Sequence, residues 1–401
     1  MIVEVVGNLL KLNYNYMKRV FLRLTAFVLF FSLANLLKAQ TTTKSPINVV
    51  TTAVPFLRIS PDARAGGMGE LGIATSPDAN ASFYNLAKTP FSEYNTGIGL
   101  TYTPWLKDLG LNDVYLLSAA GYHKLDNLQA ISASIRYFSL GNIQFTDYSG
   151  NNISNGRPRE LGVDLGYSRK LSDNLSLALA LRYINSNLTS GYPTSSGTTK
   201  AGNAVAADIS VYYTAKNESG QGWSFGAALS NLGSKIGYTN DASQKEYIPA
   251  NLGIGAAYTM AFDEQNKLTF GLDINKLLVP AAPALTDPTD ETQDSINLVS
   301  YHSQSIVSSW FKSFSNSAYN FSLGGEYGYN DQFFFRAGYF YEGKNQGGRQ
   351  YFTLGVGIKY NVVGLNFSYL VPSGSGVTRN PLSNTIRFGL VFDLDNGKEQ
   401  Q

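Results

Sequence analysis

Side chains that change character at every second residue, in segment after segment, restrict this 401-residue chain more than any motif does. From Leu175, residues Leu175, Leu177, Leu179, Leu181 and Tyr183 share one face, while Ser176, Ala178, Ala180 and Arg182 take the other. A second run sets Phe352, Leu354, Val356, Ile358 and Tyr360 against Thr353, Gly355, Gly357 and Lys359. The last sets Ile386, Phe388, Leu390, Phe392 and Leu394 against Arg387, Gly389, Val391 and Asp393. A period of two marks strands with two unlike faces. Fourteen such segments begin near Gly97, Asp113, Gln129, Arg159, Asn174, Asn203, Gly222, Tyr247, Lys267, Ser317, Gln332, Gln350, Val363 and Leu382. Each is close to the roughly 9–11 residues that a tilted strand needs to cross a bilayer.

The connections alternate between long and short. Long ones cover about 141–158, 186–202, 231–246, 276–316 and 372–381, and short ones include Leu171-Ser172-Asp173, Asn330-Asp331 and Asn361-Val362. Short periplasmic turns facing longer outer loops are the pattern of a transmembrane barrel, and an even strand count puts both barrel ends on one side. The connections at about 106–112 and 343–349 are short for outer loops.

The composition of the two faces separates membrane from water. A soluble barrel, sandwich or propeller turns charges outward, whereas here the less apolar face is mostly Gly, Ala, Ser and Thr. Mid-strand charges fall on that same face: Arg136, Asp164, Arg182, Asp208, Asp273, Glu326, Arg336, Lys359, Arg387 and Asp393. A lysine or arginine on the lipid side near the midplane costs about 2–4 kcal/mol, which accounts for the register. Tyr137, Tyr167, Tyr183, Tyr213, Tyr258 and Tyr369 suit the two interfacial girdles. The fold expected is all-β: a 14-stranded antiparallel transmembrane barrel.

Before the strands, Met17-Lys18-Arg19 and an apolar stretch from Leu24 to Leu37 lead to Lys38-Ala39-Gln40, which reads as a signal peptide cut after Ala39. Arg23 interrupts the run and speaks against a membrane anchor, and residues before Met17 read as an upstream extension. Loss of Lys11, Lys18, Arg19, Arg23, Lys38 and Glu4 turns a net charge of +2 into −2. A nearly neutral chain gives no sign of nucleic-acid binding. The absence of cysteine removes disulfides, thiolate metal sites and a thiol nucleophile together.

Residues 51–96 do not alternate. Ile59 to Gly69 is small and glycine-rich, with Pro61, Asp62, Arg64, Gly66, Gly67 and Gly69, yet it lacks the strand and helix of a dinucleotide fingerprint and the Gly-Lys-Ser/Thr of a phosphate loop. Irregular backbone is tolerated at membrane depth only inside protein or beside a wet cavity. Two readings stay open: a hatch folded into the lumen, with Asp62, Arg64, Glu70 and Asp78 meeting wall charges, or a periplasmic tail. In the first, Arg64 is expected to meet Asp164, Asp208, Asp273 or Glu326. The organisation expected is a hatch over 40–96, a barrel over 97–395 with a long outer loop over 276–316, and a tail over 396–401.

The hatch, an Asn85-Leu86-Ala87 element and fourteen strands together resemble the FadL superfamily. More closely, Thr51-Thr52-Ala53-Val54-Pro55-Phe56-Leu57, followed by Ser60 to Gly69, resembles the PorV/PorQ family of type IX secretion. Arg136 to Gly141, Arg336 to Tyr339, Arg349-Gln350-Tyr351, Tyr369-Leu370-Val371 and Asn380-Pro381-Leu382 match further. The usual Asn-Pro-Ala is here Asn85-Leu86-Ala87, and the Pro-Gly-Gly expected soon after Trp310-Phe311-Lys312-Ser313-Phe314 is missing. The resemblance implies a non-enzymatic outer-membrane component without a cofactor. It implies as partners the very large translocon barrel (SprA/Sov-like), cargo with a C-terminal signal domain, the attachment complex with the PorU sortase, and outer-membrane lipid and lipopolysaccharide. The alternative is a FadL-like channel for small hydrophobic ligands.

Three clusters remain. His123 at a periplasmic strand end and His302 in an outer loop fall on opposite membrane sides and cannot share a hydrolytic site. Asp287, Asp290, Glu291 and Asp294 lack a calcium-loop pattern and read as a solvated acidic loop, so no metal is expected. Trp310, Phe311 and Phe314, with Ile306 and Val307, form either a partner-docking surface or a lid over the barrel mouth.

Overall fold

The computed structural model describes residues 50–395 apart from 108–109, 147–148, 190–192, 195–196, 242–243, 284–290 and 372–383. The leader, the tail, Asp287, Asp290 and Asn380-Pro381-Leu382 therefore lie outside the described residues, as does the Glu291 side chain. In chain order the strands are β1 (Thr96–Pro104), β2 (Val114–Lys124), β3 (Gln129–Leu140), β4 (Ile143–Thr146), β5 (Asn152–Gly156) and β6 (Arg159–Lys170). Next come β7 (Leu175–Asn187), β8 (Pro193–Thr194), β9 (Gly197–Thr198), β10 (Gly202–Lys216), β11 (Gly222–Gly233) and β12 (Asn251–Ala261). Then follow β13 (Asn266–Leu277), β14 (Tyr319–Tyr329), β15 (Phe333–Glu342), β16 (Gln350–Tyr360), β17 (Val363–Val371) and β18 (Ile386–Leu394).

All but β4, β5, β8 and β9 form one closed barrel of fourteen strands, in which β1 pairs antiparallel with both β2 and β18. Closure leaves no edge strand, so wall peptides pair along both sides of each strand, and at the bulge in β10 the Asp208 side chain takes the Asn231 N–H at 2.7 Å. The alternation settles which face is which. Leu181 and Leu354 are 64% and 54% exposed to the surroundings, while their neighbours Arg182 and Thr353 are buried. Large aliphatic and aromatic side chains turned outward around the wall need hydrocarbon rather than water around them. No helix among the described residues is long and apolar enough to cross a membrane.

The periplasmic turns are built by short polar side chains. Asp126 accepts the N–H groups of Leu128 and Gln129 at 2.7 and 2.8 Å, and Asp263 accepts those of Gln265 and Asn266 at 2.8 and 2.7 Å. Both carboxyls are held below the usual aspartate range, Asp126 first by its backbone bond from Leu128 and Asp263 first by the Asn266 side chain. At the outer end, β4–β5 and β8–β9 are small hairpins, and the loop between β13 and β14 carries two helices.

Two segment starts move. The strand expected near Tyr247 begins at Asn251, because Pro249 offers no N–H to the ladder and Tyr247 instead donates its hydroxyl to the Tyr301 carbonyl at 3.1 Å. The last begins at Ile386, beyond residues that are not described.

The segment ahead of the wall runs lengthwise through the lumen. Its first described residue, Val50, donates to the Asn345 carbonyl at 2.7 Å, and Ala53 donates to Tyr247 at 3.0 Å, both in outer connections. At its far end Asn95 accepts from Lys124 at the periplasmic rim, at 2.8 Å. Between lie three 3-10 turns and one short α-helix, α1 (Ala63–Gly67), started by Asp62, whose side chain accepts the Ala65 N–H at 2.9 Å. The loop helices are α2 (Glu291–Ser303) and α3 (Ile306–Lys312), the latter capped by Ser305.

Candidate functional site

The lumen and its hatch hold most of the chain's buried charge, and alternation places the wall's share. On β14 and β15, Glu326 lies directly opposite Arg336, and on β6 and β7 Asp164 lies directly opposite Arg182. Opposite charges across a ladder attract, and burial makes each costly to leave alone.

Arg64 closes the first of these pairs with the hatch. Its guanidinium donates to Glu326 at 2.8 and 3.0 Å, to Asp78 at 2.7 Å and to Ser76. Arg336 donates to the same Glu326 at 2.6 Å and to Asn366 at 2.8 Å. Glu326 thus belongs to the group of four carboxylates considered for Arg64. The other three have different partners. Asp164 and Asp208 both meet Arg182, Asp208 at 2.8 Å, and Asp164 also accepts from Ser134 at 2.7 Å. Asp273 takes the backbone N–H groups of Gly72 and Ile73 at 2.8 and 2.9 Å.

The remaining wall charges divide likewise. Arg136 donates to the Leu57 carbonyl at 3.0 Å and lies over the Phe83 ring. Arg387 meets hatch residue Glu70 at 3.2 Å, and Tyr351 donates to the same carboxylate at 2.5 Å. Lys359 pairs with Asp393 at 2.5 Å and lies over the ring of hatch residue Tyr94, 4.0 Å from its centre. Two expectations need correction. Asp62 serves as a helix cap instead of meeting a wall charge, and Asp78 pairs inside the hatch with Arg64.

The hatch glycines sit where bulk is impossible. Gly69 has φ +68° and donates to Thr353 at 2.7 Å, and a Cβ there would come within 2.7 Å of the Tyr339 backbone. Gly67 packs against Gly355, and Gly66 against the Arg387 side chain. The Pro61 carbonyl accepts from Ser118 at 2.5 Å. Asn85 donates to the carbonyls of Ile73 and Val211 at 3.0 and 2.9 Å while its oxygen accepts the Ala87 N–H. Leu86 then takes the first position of a 3-10 turn, a place proline also suits, and its side chain fills the space over Gly166. Sequence reasoning missed Lys88, fully buried, with its ammonium on the Gly72 carbonyl at 2.7 Å and the Thr75 hydroxyl at 3.2 Å. Its place before Thr89-Pro90 gives no periodic signal.

The hatch divides the lumen into two cavities with no lining residue in common. The outer one is about 130 Å³ and includes Arg58, Glu70, Arg136, Asp273 and Arg349, while the periplasmic one is about 470 Å³. In the outer loop between β13 and β14, α3 and the 3-10 turn after it (Ser313–Ser315) tuck Ser309 and Ser313 inward and turn Phe311 and Phe314 out, 73% and 54% exposed, with Trp310 half-buried. The aromatic rings therefore do not pack down as a lid. Lys235 ties this outer layer together through the His302 and Gln304 carbonyls at 2.6 and 2.8 Å. His302 itself faces Glu246 at 3.4 Å, and His123 contacts Thr96 at 2.8 Å on the opposite rim.

Residues 40–284 match the family model of the type IX secretion system protein PorV. The chain belongs to the PorV family. It is thereby an outer-membrane component of type IX secretion and an integral barrel of that membrane, and the family and fold are of non-enzymatic types. The TodX monoaromatic hydrocarbon channel, as its ΔS2S3 mutant, is 12% identical at a TM-score of 0.51, covering 83% of this chain and 99% of its own. The toluene transporter TbuX of Ralstonia pickettii is 13% identical, covering 82% of this chain and 97% of its own at a TM-score of 0.48. At such identities the likeness speaks for a FadL-like fold alone. No curated protein matches the chain.

Proposed function

We propose that this barrel receives cargo bearing a C-terminal signal domain at the type IX translocon and hands it to the surface attachment complex that includes the PorU sortase. The family match over residues 40–284 carries the reading. It is supported by a lumen crossed by buried ion pairs, which suits an adaptor better than a conduit, and by the exposed Phe311 and Phe314 rings on the outer side. The domains follow the same logic: a leader over 1–39, a hatch over 40–96, a barrel over 97–395 and a short tail. The hydrocarbon channels among the structural neighbours suggest solute passage, but the outer cavity beside the hatch carries Arg58, Glu70, Arg136 and Asp273, which an apolar solute would leave unsolvated.

Deleting the gene should leave signal-bearing cargo trapped in the periplasm, read by fractionation and immunoblotting. Unimpaired secretion would reject the proposal. Replacing Phe311 and Phe314 together by serine should reduce cargo capture while leaving the barrel folded.

A further inference from the structure

The periplasmic cavity is a blind cup. Its floor is the hatch, with Arg64, Ser76, Pro77 and Asp78, and its walls come from β10 to β18. At about 470 Å³ it falls within the roughly 300–1,000 Å³ of small-ligand sites. The wall lines it with the hydroxyls of Thr214, Thr259 and Thr269, the last two 3.0 Å apart on neighbouring strands.

Its charges are nearly all spoken for. Arg64 and Arg336 share Glu326, Asp78 holds Arg64, Lys267 pairs with Asp331 at 2.9 Å, and Lys359 pairs with Asp393. Two are left over. The Lys216 ammonium, half-buried on the wall, and the Glu93 carboxylate, exposed at the mouth, have no hydrogen bond or ion pair among the described residues. The charged groups around Lys216 are Arg64, Glu326, Glu93 and Lys267. A simple anion would satisfy Lys216 but meet repulsion from Glu93, whereas a molecule with opposite charges at its two ends complements both.

We propose that this cup is a binding site for a short peptide with free ends, entering from the periplasm, its terminal carboxylate on Lys216 and its ammonium towards Glu93. Main-chain amides of the peptide meet the threonine hydroxyls. The hatch behind the site bars onward passage, so the peptide leaves by the side it entered. Binding is read on the purified barrel and stands apart from cargo delivery.

The test is calorimetric titration of the detergent-solubilised full chain with trialanine, trialanine amide and N-acetyl-trialanine. A charge-assisted hydrogen bond predicts that the amide binds about tenfold or more weakly than the free acid, with a smaller loss for the acetylated peptide because Glu93 is more exposed. Lys216→Met should bind acid and amide alike, since the coupled partner is gone. Lys216→Arg should restore the preference for the acid. Lys245→Met, at an exposed position in an outer connection away from the cup, should leave the preference intact, and the mobility shift of the unheated barrel on gels confirms folding of each variant. Equal binding of acid and amide by the native chain, no binding of any probe, or a Lys216→Met variant that still prefers the acid would each overturn the assignment.

Discussion

The two halves of the lumen are closed by different balances of apolar packing and charge, although the outer half also holds a buried Arg58–Glu342 pair. The outer half is packed with Phe56, Leu57, Trp105, Leu116, Phe138, Ile184, Ile236 and Leu370, all buried in one cluster against the start of the hatch. Lower down the apolar cluster is smaller, Leu86 and Ala87 against Ala178, Ala180 and Tyr212, and the Arg64–Glu326–Arg336 bridge and the peptide groups on Asp273 join hatch to wall beside it. Apolar packing excludes water whatever its exact fit, and so suits a seal. Ion pairs hold only in one geometry and fail badly when a partner is lost, and so suit a latch.

That contrast can be broken experimentally. Arg64→Leu leaves Glu326 and Asp78 short of a counter-charge and should cost about 3–5 kcal/mol, read as the denaturant needed to unfold the barrel. If the outer half seals by itself, this variant should still pass little current in a planar bilayer. A large conductance from Arg64→Leu alone would show the latch to be the only barrier. Phe56→Ala should cost about 3 kcal/mol by opening a cavity in the apolar cluster. The double variant, unlike either single one, should conduct. Gly338→Ala pushes a Cβ to 2.2 Å from the backbone at Met68 and Gly69, where neither partner can yield easily. It should cost about 1–3 kcal/mol and loosen the hatch at the junction of the two halves. The smallest perturbation, Thr51→Cys, should leave stability unchanged, as expected for an exposed site. Because the chain contains no other cysteine, a membrane-impermeant maleimide should label it on intact cells. Labelling only after the outer membrane is broken would place the hatch upside down.

The wall was far more legible in the sequence than the plug. A period of two fixes which side chains share a face, so Arg136, Arg182, Glu326 and Arg336 could be assigned inward from Ile135, Leu181, Tyr327 and Ala337 beside them. Most strand starts followed within two residues. The exceptions have local causes, such as Pro249 ahead of β12. Pairing across the lumen has no such signature. Arg64 and Glu326 are 262 positions apart, and nothing in either neighbourhood distinguishes Glu326 from Asp273 as a partner. Asp62 was misjudged because a helix cap and a buried ion-pair partner draw on the same side chain, and only the short α1 turn decides between them. The loop helices were also missed: Ser305 is a legible cap, but the residues after it form barely two turns.

Because Val50 is tied at the outer rim and Asn95 at the opposite one, the leading stretch lies along the axis like a wick in a candle. Such a stretch, studded with charged and aromatic groups, cannot be drawn through a finished tube. A sheet that closes around it needs one open seam while it is laid in, and the pairing of β1 with β18, the two ends of the wall, is such a seam. The first and last strands of the wall therefore meet at the seam that encloses the wick.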